Sequence, residues 1–359
     1  MRHRATSPRA LGRSVAPREA SWHENLGVAL LGAWTVGGLY LDGWAHENLA
    51  TLETFFTPWH GALYSGLLAL IVWKCGMVAR RWRRGGSLRD AVPPGYGIGL
   101  AGLAVFAAGG LFDLAWHTVV GIERSIDALL SPPHLTMFFG AFLALTSPLR
   151  ARWAADDREE HGPTLLGLLP ALLVTALATA VVAFFFMYLS VYTNSDISGS
   201  RFGRGTSATL GLASQQIGIA SALATNLILF APLLLLVRRW VLPFGAALVL
   251  LVLPAVLLAA VREFEHWHAV VTALGGALLV ELVRVWLRPT DERRLAFRLF
   301  AGIAPLAFWA PYGAISFVVR GIIWSPELVF GVWLWTGLSG FAISVLLLPP
   351  IGPRRGQLA

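Results

Sequence analysis

The chain of 359 residues is 56% hydrophobic and only 13% charged, with 15 Trp and a formal net charge of +8. Apolar runs long enough to cross a bilayer recur along it, which excludes an ordinary soluble domain. The basic excess is clustered between those runs, as charges that orient a membrane protein are, so nucleic acid is not an expected partner. The single cysteine, Cys75, excludes an intrachain disulfide and any cysteine-held zinc or iron–sulfur centre.

Residues 1–25 form a basic arm with Arg2, Arg4, Arg9, Arg13 and Arg18 ahead of the first apolar run. That run is too long for the core of a signal peptide and reads as an uncleaved first membrane helix. Ten apolar segments follow in order, at 26–46, 60–78, 94–117, 134–150, 164–192, 217–237, 241–262, 268–287, 296–319 and 329–348. Each is near the ~20 residues a spanning helix needs. The expectation is an all-α integral membrane protein of about ten spans. Residues 26–150 hold a duplicated hairpin pair, 151–163 a connecting loop, 164–348 six further helices and 349–359 a tail.

The N-terminal arm, the alternate loops and the C-terminal tail together hold all but five of the 28 Lys and Arg, the exceptions being Arg124, Arg201, Arg204, Arg262 and Arg320. The basic side is expected to face the cytoplasm, which places both termini inside and five hairpin tips outward in the plasma membrane. Of the nine histidines, His3, His23 and His161 fall on the inner side, whereas His46, His60, His117, His134, His266 and His268 all fall at outward tips.

The first two hairpins align. "GGLYLDGWAHENLATLETFFTPWHGALYSG" and "GGLFDLAWHTVVGIERSIDALLSPPHLTMFFG" both read Gly-Gly-Leu, an Asp-x3-His pair, a polar tip, then Ser/Thr-Pro-x-His opening a new helix. Residues four apart share one helix face, so Asp42 with His46, and Asp113 with His117, converge on a point. Thr57 and Ser131 suit N-cap positions and Pro58 and Pro132 the first helical turn, which brings His60 and His134 back to the same level. Each hairpin thus presents one carboxylate and two imidazoles. That donor set with open positions suits copper(II), iron(II) or zinc, either as two mononuclear sites or pooled around two metals.

The fourth hairpin adds "REFEHWH", where His266 offers a further ligand and Glu265 and His268 a proton path. Glu123, with Arg124 and Asp127, either caps the site from a short interfacial helix and relays protons, or belongs to a solvated turn. In the fifth hairpin "SPELVFG" repeats the Ser-Pro turn, and its Glu327 is explained by the helix dipole. Trp44, Trp59, Trp116 and Trp267 fit an interfacial aromatic belt. The loop "TNSDISGSRFGRGTSATLGLASQQ" is of the Gly/Ser-rich kind that is mobile or forms a lid.

The Asp-x3-His pair followed by a second histidine resembles the metal-binding C subunit of the copper membrane monooxygenases, the particulate methane and ammonia monooxygenase family. The resemblance covers about twenty residues per repeat. It implies copper, held by Asp42, His46, His60, Asp113, His117 and His134, and an outward-facing oxidoreductase site acting on a small or hydrophobic substrate. It also leaves room for homo- or hetero-oligomeric partners. The His-rich boxes of membrane desaturases are absent. Competing expectations are a transporter or metal-handling protein, for which Asn226 and Glu281 are the main polar candidates within the membrane depth, and a haem-binding or structural subunit.

Overall fold

The computed structural model describes residues 19–49, 56–85, 87–121, 126–155, 163–193, 208–320 and 324–348. Among them every regular element is helical. The order is α1 (Trp22–Asn48), α2 (Pro58–Trp82), α3 (Leu88–Ala91), α4 (Gly97–Val119), α5 (Ile126–Leu130), α6 (Pro132–Leu145), α7 (Ser147–Ala154) and α8 (Leu165–Phe185), followed after a 3-10 turn (Met187–Leu189) by α9 (Ala208–Arg239), α10 (Ala246–Val261), α11 (Trp267–Leu287), α12 (Arg294–Arg320) and α13 (Pro326–Leu347).

Eight of these are long and apolar enough to cross a membrane: α1, α2, α4, α8, the Gln215–Arg239 part of α9, α11, α12 and α13. The other two apolar segments are shorter. The 134–150 segment is divided at Thr146 into α6 and α7, and the 241–262 segment is the 16-residue α10. A proline explains the division. Pro148 has no N–H to give to the carbonyl of Ala144, four residues back.

Inside a bilayer a freed carbonyl must find another donor. Lys74, fully buried on α2, supplies it through Nζ at 2.6 Å from Ala144 O and 2.9 Å from Ser147 Oγ. Arg150 donates to Leu143 O at 2.7 Å and Gly95 O at 3.1 Å. The same device recurs on α8, where Pro170 leaves Leu166 O without its helical donor and the Trp22 indole donates to it at 2.9 Å. Sequence reading alone assigned neither Lys74 nor Trp22 a role.

α8 is apolar all round, as a fully enclosed helix is. Its small residues Ala171, Ala176, Ala180 and Ala183 are buried and let neighbours approach closely. α1, α6 and α10 pack against it, with α2 beside α1 and α4 beside α6, while α10 to α13 pack in sequence and α9 lies against α13. The polar residues deep in this second half serve the packing. Glu281 accepts from the N–H groups of Gly245 and Ala247 at the start of α10 and pairs with Arg284 at 2.6 Å. Asn226 joins three helices, donating to Thr336 O and Ser339 Oγ and accepting from the Trp309 indole at 2.9 Å.

Candidate metal centre

Asp42 and His46 lie one turn apart near the end of α1, and His60 sits in the first turn of α2. Thr57 caps that turn, its hydroxyl accepting from the His60 N–H at 3.1 Å. Asp42 Oδ1 is 3.4 Å from His60 Nε2 and Oδ2 is 3.8 Å from His46 Nε2. In the second hairpin Asp113 Oδ1 lies 3.3 Å from His117 Nε2 and 3.1 Å from His134 Nε2. Within each set the three ligand atoms are all within 4.8 Å of one another. Donors about 2.0–2.2 Å from a tetrahedral metal stand about 3.3–3.5 Å apart, so both sets have the right scale for one ion.

The two sets also adjoin. The His60 ring lies 6.3 Å from His46 and 6.4 Å from His117, and His117 lies 5.9 Å from His134. Asp42, His46, His60, Asp113 and His134 line one cavity. The repeat therefore folds into a single centre.

Ring orientation supplies the chemical argument. His117 Nδ1 lies 3.3 Å from Gly121 O, and His134 Nδ1 contacts Ala128 O and lies 2.9 Å from Ser131 Oγ. A carbonyl oxygen only accepts, so in each ring Nδ1 carries a proton and Nε2 is turned toward Asp113, as a lone pair in the neutral ring or as a second donor in the imidazolium. Asp113 is 1% exposed, and both Nε2 atoms face the same oxygen, Oδ1, at 3.3 and 3.1 Å. Two imidazoles aimed at one buried carboxylate oxygen need positive charge there, supplied either by protons on Nε2 or by a metal ion that the three donors would hold. Nδ1 donating to carbonyls with Nε2 facing inward is the arrangement that orients metal-ligating histidines. The residues fit a metal ion.

Glycines bring the ligand-bearing helices together. A Cβ added at Gly38 would lie 2.6 Å from the Leu63 backbone, and one at Gly66 would lie 2.8 Å from Thr35 Cα. In the second hairpin one at Gly109 would lie 2.7 Å from Met137 Cγ, and one at Gly140 would lie 2.5 Å from Phe106 N. Gly38 and Gly109 each precede the Asp by four residues, and Gly66 and Gly140 each follow the second His by six. This register corrects the Gly-Gly-Leu alignment by one place, pairing Gly38 with Gly109. It also pairs Tyr64 with Phe138.

Tyr64 is the functional residue that the sequence reading missed. Its hydroxyl donates to Asp113 Oδ2 at 3.3 Å, and its ring lies 6.1 Å from His60. The available signal was its place four residues after His60, on the same helix face. Phe138, at the matching position, packs on Phe185 at 4.9 Å. The copies have diverged in burial too: Asp42 is 16% exposed and His46 24%, against 1% for Asp113 and 5% for His117.

Three expected site residues lie elsewhere. His266 and His268 are buried with rings 6.1 Å apart, and His266 Nε2 is 3.9 Å from Glu265, whose side chain is largely exposed. His266 belongs to neither ligand set. Its turn nevertheless docks on the end of α1, with the Trp44 indole donating to Glu263 at 3.2 Å, Arg262 pairing with Glu47 at 3.0 Å and Asn48 donating to Val261 O at 2.9 Å. Glu123 and Arg124 lie outside the described residues, and Asp127 is on α5. Ser131, expected as a side-chain cap, instead turns its hydroxyl to His134, whereas Ser325 caps α13 by accepting from Leu328 N–H. No protein-family model, curated protein or solved structure matches this chain.

Proposed function

We propose that the chain is an integral membrane metalloprotein, a copper- or iron-dependent oxidoreductase that holds two ions in the adjoining Asp42–His46–His60 and Asp113–His117–His134 sets. The observation that carries this reading is the buried Asp113 oxygen facing two imidazoles whose Nδ1 protons are held by backbone carbonyls. Three protein donors per ion leave coordination positions open, and a redox-active metal there supplies electron transfer to or from a bound substrate. The protein's part is to orient the rings, to hold Asp113 through Tyr64 and to shield the centre within the bundle.

The placement of the arginines supports the same membrane arrangement: ten spans counting α6–α7 and α10, both termini cytoplasmic, and the metal centre facing outward in the plasma membrane. A transport role has less support. The polar groups Glu281, Arg284, Asn226 and Lys74 are all engaged in local packing bonds.

Elemental analysis and electron paramagnetic resonance on the detergent-purified chain test the reading. Two ions of a redox-active metal per chain are expected, with imidazole nitrogen coupling in the copper(II) spectrum. A well-folded protein that stays metal-free after incubation with copper, iron and zinc salts would falsify it. Within this scheme Tyr64→Phe is expected to weaken the Asp113 ion by about tenfold, the scale of a lost outer partner. Chelator competition reads the two ions separately, and equal weakening of both would reduce Tyr64 to a packing residue.

A further inference from the structure

The cavity that the two ligand sets share, about 100 Å³ in volume, does not stop at the metal level. From Asp42 it continues down the bundle between α1, α2, α4, α6 and α8 to Thr35 and Leu145. Thr35 lies seven residues below Asp42 on the same helix, a depth of about 10 Å at 1.5 Å per residue. Its walls there are apolar, with Val36, Leu63, Phe106, Phe138 and Ala141. Leu145 closes the floor against Gly32, where an added Cβ would lie 2.7 Å from Leu145 Cδ2. The space therefore has one polar end, at the carboxylates and imidazoles, and one long greasy end.

A second pocket also borders Tyr64. Between α2 and α4 an apolar groove of about 380 Å³ is lined by Leu67, Leu68, Ile71, Gly110, Leu111 and Tyr64 itself. Leu68 and Leu111 are 61% and 72% exposed, as residues facing lipid are. Tyr64 thus lines both the outer groove and the inner cavity. Gly110 leaves room for its ring, since a Cβ there would lie 2.9 Å from Tyr64 Cε1.

We propose that the inner cavity binds a lipid-dissolved molecule with an apolar tail, which enters between α2 and α4 past Tyr64 and lies with its polar head at the Asp/His centre. The tail site follows from the cavity alone. The head's position rests on the metal reading given above.

A homologous series of n-alkyl hydroxamates, whose heads bind metals, tests this by calorimetric titration of the full-length purified chain, with the matching n-alkyl amides as a series lacking a strong metal-binding head. Affinity is expected to rise about fourfold per methylene, the burial of one CH₂, and then to level off when the tail reaches Leu145. Ala141→Phe and, separately, Val36→Phe shorten the tail at which levelling occurs and leave the shortest members unaffected. The same levelling point in the wild type and in both variants, or no dependence on tail length, overturns the tail site. If amides and hydroxamates bind equally while the tail dependence persists, the metal reading fails and the tail site stands. Leu111→Trp, which narrows the groove from its lipid side, slows association and dissociation by a common factor at unchanged affinity. Unaltered rates rule out the α2–α4 entry.

Discussion

Asp113→Asn is expected to release the more buried of the two ions and, in metal-free protein, to raise thermal stability rather than lower it. The two effects have one cause. Asp113 Oδ1 faces His117 Nε2 at 3.3 Å and His134 Nε2 at 3.1 Å from a fully buried position. With an ion present, the carboxylate supplies charge and a ligand, so its loss should cost more than the ~10–100-fold in affinity that an outer partner is worth. Without an ion, the carboxylate's charge is balanced only by protons on the two imidazoles, at a buried site where the cost of desolvation can exceed that attraction. Asparagine removes that charge and can turn an amide N–H toward an imidazole nitrogen. Melting curves with and without metal should therefore cross: the wild type gains about 4 kcal/mol per ion at a thousandfold excess over the dissociation constants, and the variant gains only the share of the Asp42 set. A variant that is less stable than the wild type in both conditions would assign Asp113 a purely structural role.

The centre was legible in the sequence wherever the helix period determined it. Asp42 with His46 and Asp113 with His117 share faces because four residues make nearly one turn, and Thr57 and the two Pro-x-His turns bring His60 and His134 to the same level. What periodicity does not encode is lateral position. His266 was expected at this membrane level, and its turn does dock on the end of α1, yet its ring belongs to neither ligand set. Nor does a sequence show which carbonyls of a tip, here Gly121 and Ala128, will hold a histidine's proton.

Eight of the expected spans were legible by apolar length, and the break at Thr146 was announced by Pro148 but hidden by the continuous hydrophobic run. Lys74 completes the same lesson. On sequence it is one more basic residue near a helix end, whereas in the fold it donates to the carbonyl that Pro148 frees. Prolines at 148 and 170 thus explain a buried lysine and a tryptophan far away in the chain. The polar groups Lys74, Asn226, Glu281 and Arg284 all have partners that the packing itself supplies. Against that background a buried carboxylate held by one tyrosine hydroxyl and faced by two oriented imidazoles on its other oxygen points to a ligand.

The glycine register gives the second large effect, and it is selective. Gly140→Val would set a Cβ 2.5 Å from Phe106 N, 2.8 Å from Gly102 O and 2.8 Å from Phe106 Cα. All three atoms are backbone, so no side chain can turn aside and α6 must move away from α4. Overpacking of this kind costs about 1–3 kcal/mol. It also separates His134 on α6 from Asp113 and His117 on α4, so the expected result is a lowered melting temperature and loss of the Asp113 ion alone. Gly38→Val presses on the Leu63 backbone at 2.6 Å and is expected to cost the Asp42 ion instead. Gly275 has nothing within 4 Å of an added Cβ, so Gly275→Ala on α11 should be neutral or stabilising by up to about 1 kcal/mol. Retention of both ions at wild-type melting temperature in the Gly140 and Gly38 variants would show that the close crossings do not set the ligand geometry. Loss of one ion in each, with the other kept, would tie each half of the repeat to its own ion.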